Sequence, residues 1–210
     1  MTPAHSAMYE ELLARATRPP HAERAHAWRA AFLDRSGRFD PGHPLADVRD
    51  RAAWEDALVR GGLCRAIAAE LEDPAERALC RSLETAHRGI FVSRALAGTE
   101  LCRDLWSGAE FVLLARDDVV RELALTTERG GCPLWQARLV ATPGGCVVLP
   151  GAVFHPVDAL TPVEETLRVA RERSLERDVV LDSLLRMEHA FRTLTRVKLA
   201  YAYRPAALPG

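Results

Sequence analysis

The spacing of apolar residues changes twice along this chain, and that change limits what the chain can become. Up to Gly89 the apolar side chains recur every three or four positions. From Ile90 to Phe154 they alternate or run continuously, and after Thr161 the longer spacing returns. A period near 3.6 collects side chains on one face of a helix; a period of 2 collects them on one face of a strand. The expected fold is therefore α+β. It has a helical N-terminal half, a small, mostly antiparallel β-sheet or partly closed barrel in the middle, and two C-terminal helices packing back on it. The 210 residues read as a single compact unit, with 1–88 helical, 89–156 β-rich and 157–210 helical.

Local signals place the elements. A first helix centred on Leu12 and Leu13 must stop before Pro19-Pro20. Pro20 suits the first turn of a second helix carrying Ala25, Trp28 and Phe32, which Gly37 closes. Asp47 is the expected cap of a third helix ending at Gly61-Gly62, and Leu63, Ile67 and Leu71 mark a fourth. Asp73-Pro74-x-Glu76 starts a fifth, with Leu79, Leu83 and Ala86 on one face and Gly89 as its stop.

Strands are expected over Ile90–Ala95, Glu100–Trp106, Ala109–Ala115, Leu134–Thr142, Cys146–Leu149 and Ala152–Phe154. Turns fall at Gly98-Thr99, Ser107-Gly108 and Pro143-Gly144-Gly145. Asp117–Thr127 leans towards a short helix. Thr161-Pro162-Val163-Glu164 has the form of a capping box. A long helix after Arg177-Asp178 carries Val180, Leu184, Met187, Phe191 and Leu194 in a 4-3-4-3 stripe. Tyr201-Ala202-Tyr203-Arg204-Pro205 should end the ordered chain, leaving a tail.

Composition removes several function classes. The net charge of −1 offers no global field for nucleic acid or an anionic membrane, so neither is expected as a partner. No window reaches the roughly 18 apolar residues of a membrane span, and no leader is visible. The five cysteines form no C-x-x-C pair and are odd in number, which suits reduced, buried thiols of a cytoplasmic protein. Lys198 is the sole lysine. The bias towards arginine and alanine is that of a GC-rich, bacterial coding sequence. Phosphate-loop, dinucleotide, nucleophile-elbow and zinc-protease motifs are all missing from the sequence, and neither cofactor nor metal is expected.

Two groups of residues could carry chemistry. Pro150 to Asp158 holds His155 between an apolar strand and a helix start, with Asp158 three residues on. A carboxylate at that spacing could orient the ring of a general base or a metal ligand; the plainer alternative is a histidine that locks the junction. The second group is Asp104, Trp106, Ser107 and Glu110, a carboxylate, an aromatic, a hydroxyl and a second carboxylate around a hairpin turn, as a candidate ligand or partner surface. Its plainer alternative is a satisfied turn with Trp106 packed on a neighbouring helix.

No complete catalytic set emerges. The favoured reading is a non-enzymatic interaction or regulatory protein whose arginine-bearing helices meet a carboxylate-rich protein partner. Self-association through the C-terminal stripe is open. The alternatives are a small enzyme, with or without a metal, using His155 and Asp158 and completed by His87, Asp104 or Glu110, and a small-ligand sensor using the β-rich middle.

Overall fold

Short polar side chains decide where two of the helices begin. The computed structural model describes residues 2–96, 99–114, 133–194 and 196–210. Helix α1 (Pro3–Ala16) follows Thr2, whose hydroxyl accepts from the His5 amide. Helix α5 (Pro74–Glu84) follows Asp73, which accepts from the Ala75 amide at 2.9 Å. Between them lie α2 (Ala22–Ser36), α3 (Ala46–Val59) and α4 (Leu63–Ala68). Two expected starts are corrected. Asp47 sits inside the first turn of α3 with Leu45 at the cap, and Pro20 precedes α2 rather than opening it. At neither start does a side chain make a capping hydrogen bond, so the local signal has nothing to hold it in place.

The strand region begins earlier than its apolar pattern suggests. Strand β1 runs His87–Leu96, so Gly89 is a strand residue and not a helix stop. It is glycine because of a close approach: a Cβ there would lie 2.5 Å from Phe91 Cζ and 3.1 Å from Asp104 Oδ1. Strands β2 (Thr99–Asp104), β3 (Glu110–Leu113), β4 (Leu134–Thr142), β5 (Gly145–Val148) and β6 (Val153–Phe154) follow. Strand β2 stops at Asp104, two residues short of Trp106, and Leu105–Ser107 form the turn. The expected helix over 117–127, Gly98 of the expected turn and Cys132 lie outside the described residues.

Pairing is antiparallel along β1–β2, β2–β3, β1–β4, β4–β5 and β4–β6, with one parallel contact between β3 and β5 at Leu113↔Cys146. That contact completes the ring β1-β2-β3-β5-β4, a closed five-stranded barrel with β6 added along β4. The interior is filled by side chains, among them Phe91, Cys102, Leu113, Trp135, Leu139 and Val148. Trp135 satisfies its indole N–H on Ser93 Oγ at 2.9 Å. The four described cysteines are free and buried.

After β6 a 3₁₀ turn (Val157–Ala159) leads into α6 (Leu160–Glu172), then α7 (Arg177–Thr193), short α8 (Leu199–Ala202) and a last 3₁₀ turn (Pro205–Ala207). The capping box is corrected too: α6 begins at Leu160 behind Ala159, so Thr161 lies within the helix and caps nothing. Eight α-helices are present among the described residues, and none is long and apolar enough to cross a membrane.

The helices form two groups on the barrel. One core joins α1 to α5 with Val140, Val147 and Leu149 of the barrel wall. The other joins α6, α7 and α8 with Ile90 and Leu134. The outer face of β4 walks from one group to the other: Leu134, Gln136, Arg138, Val140. The α7 stripe packs inside the chain itself, since Val180, Leu184 and Met187 are buried in the second core. Leu194 leaves the stripe and is exposed. The expected tail is a packed segment, with Tyr203 and Leu208 buried. Their apolar surface is removed from water by docking on α6 and α7.

Candidate functional site

The hairpin turn after β2 is built around one buried carboxylate. Asp104 accepts from the Trp106 amide at 3.1 Å, the Ser107 amide at 3.4 Å and the Ser107 hydroxyl at 2.7 Å. The His87 ring lies 3.2 Å from the same carboxylate. Burial alone would raise the Asp104 pKa. The bonds from His87, Ser107 and the Trp106 amide overcome it and hold the group below the usual range. Ser107 and His87 therefore both turn to Asp104, and the hydroxyl has the carboxylate, not the imidazole, as its acceptor.

Above this turn runs α6. Its Arg171 lies over the Trp106 ring, 5.4 Å from the centroid, and donates to the carbonyls of Leu105 at 2.5 Å and Trp106 at 3.1 Å. Turn and helix enclose an open groove of about 410 Å³ whose lining includes Arg103, Asp104, Trp106, Ser107, Glu164 and Arg171. Three of the four turn residues expected from the sequence thus come together. Glu110 does not join them; it is exposed and pairs with Arg94 at 3.1 Å. Arg103 is exposed, with no carboxylate partner among the described residues. Arg171, from α6, is the groove residue that local sequence patterns could not place beside the turn.

His155 lies elsewhere and is sealed in. Its Nδ1 is 2.8 Å from the Tyr203 hydroxyl, and its Nε2 is buried without a partner. Burial, with Arg49 and Arg192 nearby, holds the ring down at about 3, so it is neutral at ordinary pH. The expected orienting partner is corrected: Asp158 is exposed in the 3₁₀ turn, and the phenol from the C-terminal segment takes the role. His155 shares no hydrogen bond with His87, Asp104 or Glu110. Among the described residues no three His, Cys, Asp or Glu side chains are grouped as a metal site.

The largest polar feature was not legible as a motif. Where the two helical groups meet on the barrel, buried charges from α2, α3, β1, β4 and α7 join. Arg138 donates to Asp56 at 2.7 Å, Arg88 to Asp182 at 2.6 Å, and Arg49 to Glu188 at 2.7 Å. Arg35, half-exposed, bridges Asp182 at 2.7 Å and Asp56 at 3.1 Å. Burial pushes Asp182 up, but Arg88 and Arg35 bring it below its ordinary value. Arg138 is lowered to about 10 by burial and by Arg88.

Glu55 stands at the edge of this network without an arginine of its own. It accepts from the Gly151 amide at 2.5 Å, and burial raises it to about 7. Glu55, Arg88, Gln136, Arg138 and Gly151 line a cavity of about 20 Å³, the space of one water-sized group. The signal in the sequence was period-2 placement. Gln136 and Arg138 share the face of Leu134 and Val140, so polar groups occupy positions a core should claim.

The fold and this geometry define a helix-clad small barrel with an open groove beside the β2–β3 turn and a largely buried ionic seam. The chain matches no protein-family model, and neither the curated proteins nor the solved structures give a match.

Proposed function

We propose that this is a non-catalytic interaction protein that grips a protein partner at the groove between the β2–β3 turn and α6. The observation that carries the reading is the clamping of Trp106 between its own turn and the Arg171 guanidinium, on the rim of an open groove beside Arg103. Tryptophan and arginine dominate the energetics of protein interfaces. They work best when held rigid, because little side-chain entropy is then lost on docking. The turn gives that rigidity: Asp104 fixes the backbone beneath Trp106, and Arg171 fixes its carbonyls from above.

The hydroxyl and imidazole beside the groove support binding better than catalysis. Nucleophilic catalysis needs the hydroxyl to give its proton to a base such as imidazole. Here Asp104 stands between Ser107 and His87 and accepts from the hydroxyl.

The test is capture of a partner from the native host by the tagged chain at near-native level. Trp106→Ala and Arg103→Glu should each abolish a stoichiometric capture, at an unchanged melting temperature for Arg103→Glu because that side chain is exposed. Capture that survives both substitutions would remove the groove from the reading.

A further inference from the structure

The C-terminal stretch separates charge from the rest of the chain. Residues 189–210 hold Arg192, Arg196, Lys198 and Arg204 and no Asp or Glu. With four of the 28 cations and none of the 29 carboxylates, this stretch carries +4 while residues 1–188 carry −5. Arg192 is engaged by Glu188 at 3.1 Å. Arg196, Lys198 and Arg204 are exposed and have no carboxylate partner among the described residues.

The same stretch is two-sided. Phe191, Val197 and Leu199 are half-buried against the second core, and Ala202 and Tyr203 are buried in it. Facing outward are Leu194, 57% exposed, and Tyr201, 65% exposed, the two most exposed large apolar side chains among the described residues. Arg196 adopts a left-handed backbone, with φ of 66°. That conformation suits glycine or asparagine and disfavours arginine. No hydrogen bond within the described residues accounts for an arginine there.

We infer that the edge formed by Leu194, Arg196, Lys198, Tyr201 and Arg204 docks an acidic protein segment that carries apolar side chains. Charge complementarity supplies the acidic character, and the exposed leucine and tyrosine call for apolar mates. An extended polyanion fits less well. A membrane or nucleic acid would face the net-negative remainder of the molecule as well as this edge, whereas a short segment feels charges only within a screening length of about 8 Å. The edge is distinct from the Trp106 groove, and the inference does not depend on what that groove binds.

The experiment places a photo-reactive side chain on the edge of the full chain, Tyr201→p-benzoylphenylalanine, in the native host. Adducts are identified by mass spectrometry. The expected result is one protein adduct mapping to a segment with net negative charge. Arg196→Glu combined with Lys198→Glu should cut its yield at least tenfold, with the melting temperature unchanged. With Arg196 and Lys198 intact, labelling repeated in host lysate should also fall in yield as salt rises from about 50 to about 500 mM. Adducts to lipid, to nucleic acid, to a second copy of this chain or to an uncharged segment would overturn the inference. So would no adduct, or a yield indifferent to charge reversal and salt. The same labelling in the Trp106→Ala background separates the two surfaces: an unchanged adduct there leaves this edge standing even if the groove reading fails.

Discussion

Arg88 of β1 lies directly opposite Arg138 of β4, so two guanidinium groups leave the same face of the barrel wall side by side. Like charges in that register repel. The repulsion is tolerated because Asp182 of α7 and Asp56 of α3 each meet one of the two arginines. Removing one counter-ion leaves a buried charge uncompensated, which costs about 3–5 kcal/mol. Asp56→Ala and Asp182→Ala should each lose stability on that scale in chemical denaturation. Arg88→Met combined with Asp182→Leu should recover most of the loss of Asp182→Ala. A double variant no better than the single one would show that the seam is not held by this pairing.

Glu55 gives a pH dependence of definite sign. Its folded pKa is raised from 4.5 to about 7 by burial, with Arg138, Arg51 and Arg88 and the Gly151 amide opposing. The protonated form is therefore favoured by the fold. Its stabilisation is complete below 4.5 and is lost as pH rises through about 7, by roughly 3 kcal/mol at the limit. Glu55→Gln should abolish that loss while keeping an acceptor for Gly151. Melting temperatures of the two chains across this range decide it; parallel curves would contradict the assignment.

His155 slopes the other way. A ring held at about 3 in the fold and 6.5 in the unfolded chain stabilises the protein above 6.5, and the stabilisation is lost as pH falls towards 3. Between 4.5 and 6.5 the slopes from Glu55 and His155 oppose and largely cancel. The stability of Glu55→Gln should consequently rise with pH from about 3 to 6.5, where the natural chain is flatter. A flat profile for Glu55→Gln would show that His155 is not buried neutral.

Tyr203→Phe leaves the His155 ring with two unpartnered nitrogens instead of one. The cost of an orphaned buried polar group is about 1–3 kcal/mol. The variant should unfold earlier by that amount yet still capture its partner at the Trp106 groove. Loss of capture at an unchanged melting temperature would give His155 and Tyr203 a functional role instead.

Gly151→Ala tests the contact between barrel and α3. A Cβ there would lie 2.6 Å from both the Cα and the N of Ala52 and 2.8 Å from Glu55 Oε1. Two of those atoms are backbone and cannot swing aside, so α3 must move. A destabilisation of about 2–3 kcal/mol is expected. A value near zero would show that α3 is not fixed against the β5–β6 connection.

The sequence made the larger divisions of the fold visible because they rest on periodicity. The alternation from Ile90 onward and the stripe Val180, Leu184, Met187 both describe buried faces correctly. What it could not decide was whether the expected sheet stays open or closes into a barrel. One parallel contact between Leu113 and Cys146 turns a sheet into a barrel, and such a pairing leaves no local trace. Start signals such as Asp47 and Thr161 misplaced helix ends because neither side chain makes the capping hydrogen bond that would fix the boundary. At the candidate site Asp104, Trp106 and Ser107 were legible because one turn gathers them, while Arg171 comes from a helix more than sixty residues away. The ionic seam was hidden for the same reason: Arg35 and Asp182 are 147 residues apart, and neither belongs to a motif.

That separation also bears on synthesis. The carboxylates that settle Arg35, Arg49 and Arg88 belong to α7, near the end of the chain. On the ribosome, α3 and the barrel wall emerge before the α7 carboxylates that balance Arg49 and Arg88. Until α7 follows, Arg49 and Arg88 lack their carboxylates, while Arg138 and Arg35 already have Asp56 of α3. Loss of α7 alone would therefore leave Arg49 and Arg88 buried without the carboxylates that balance them.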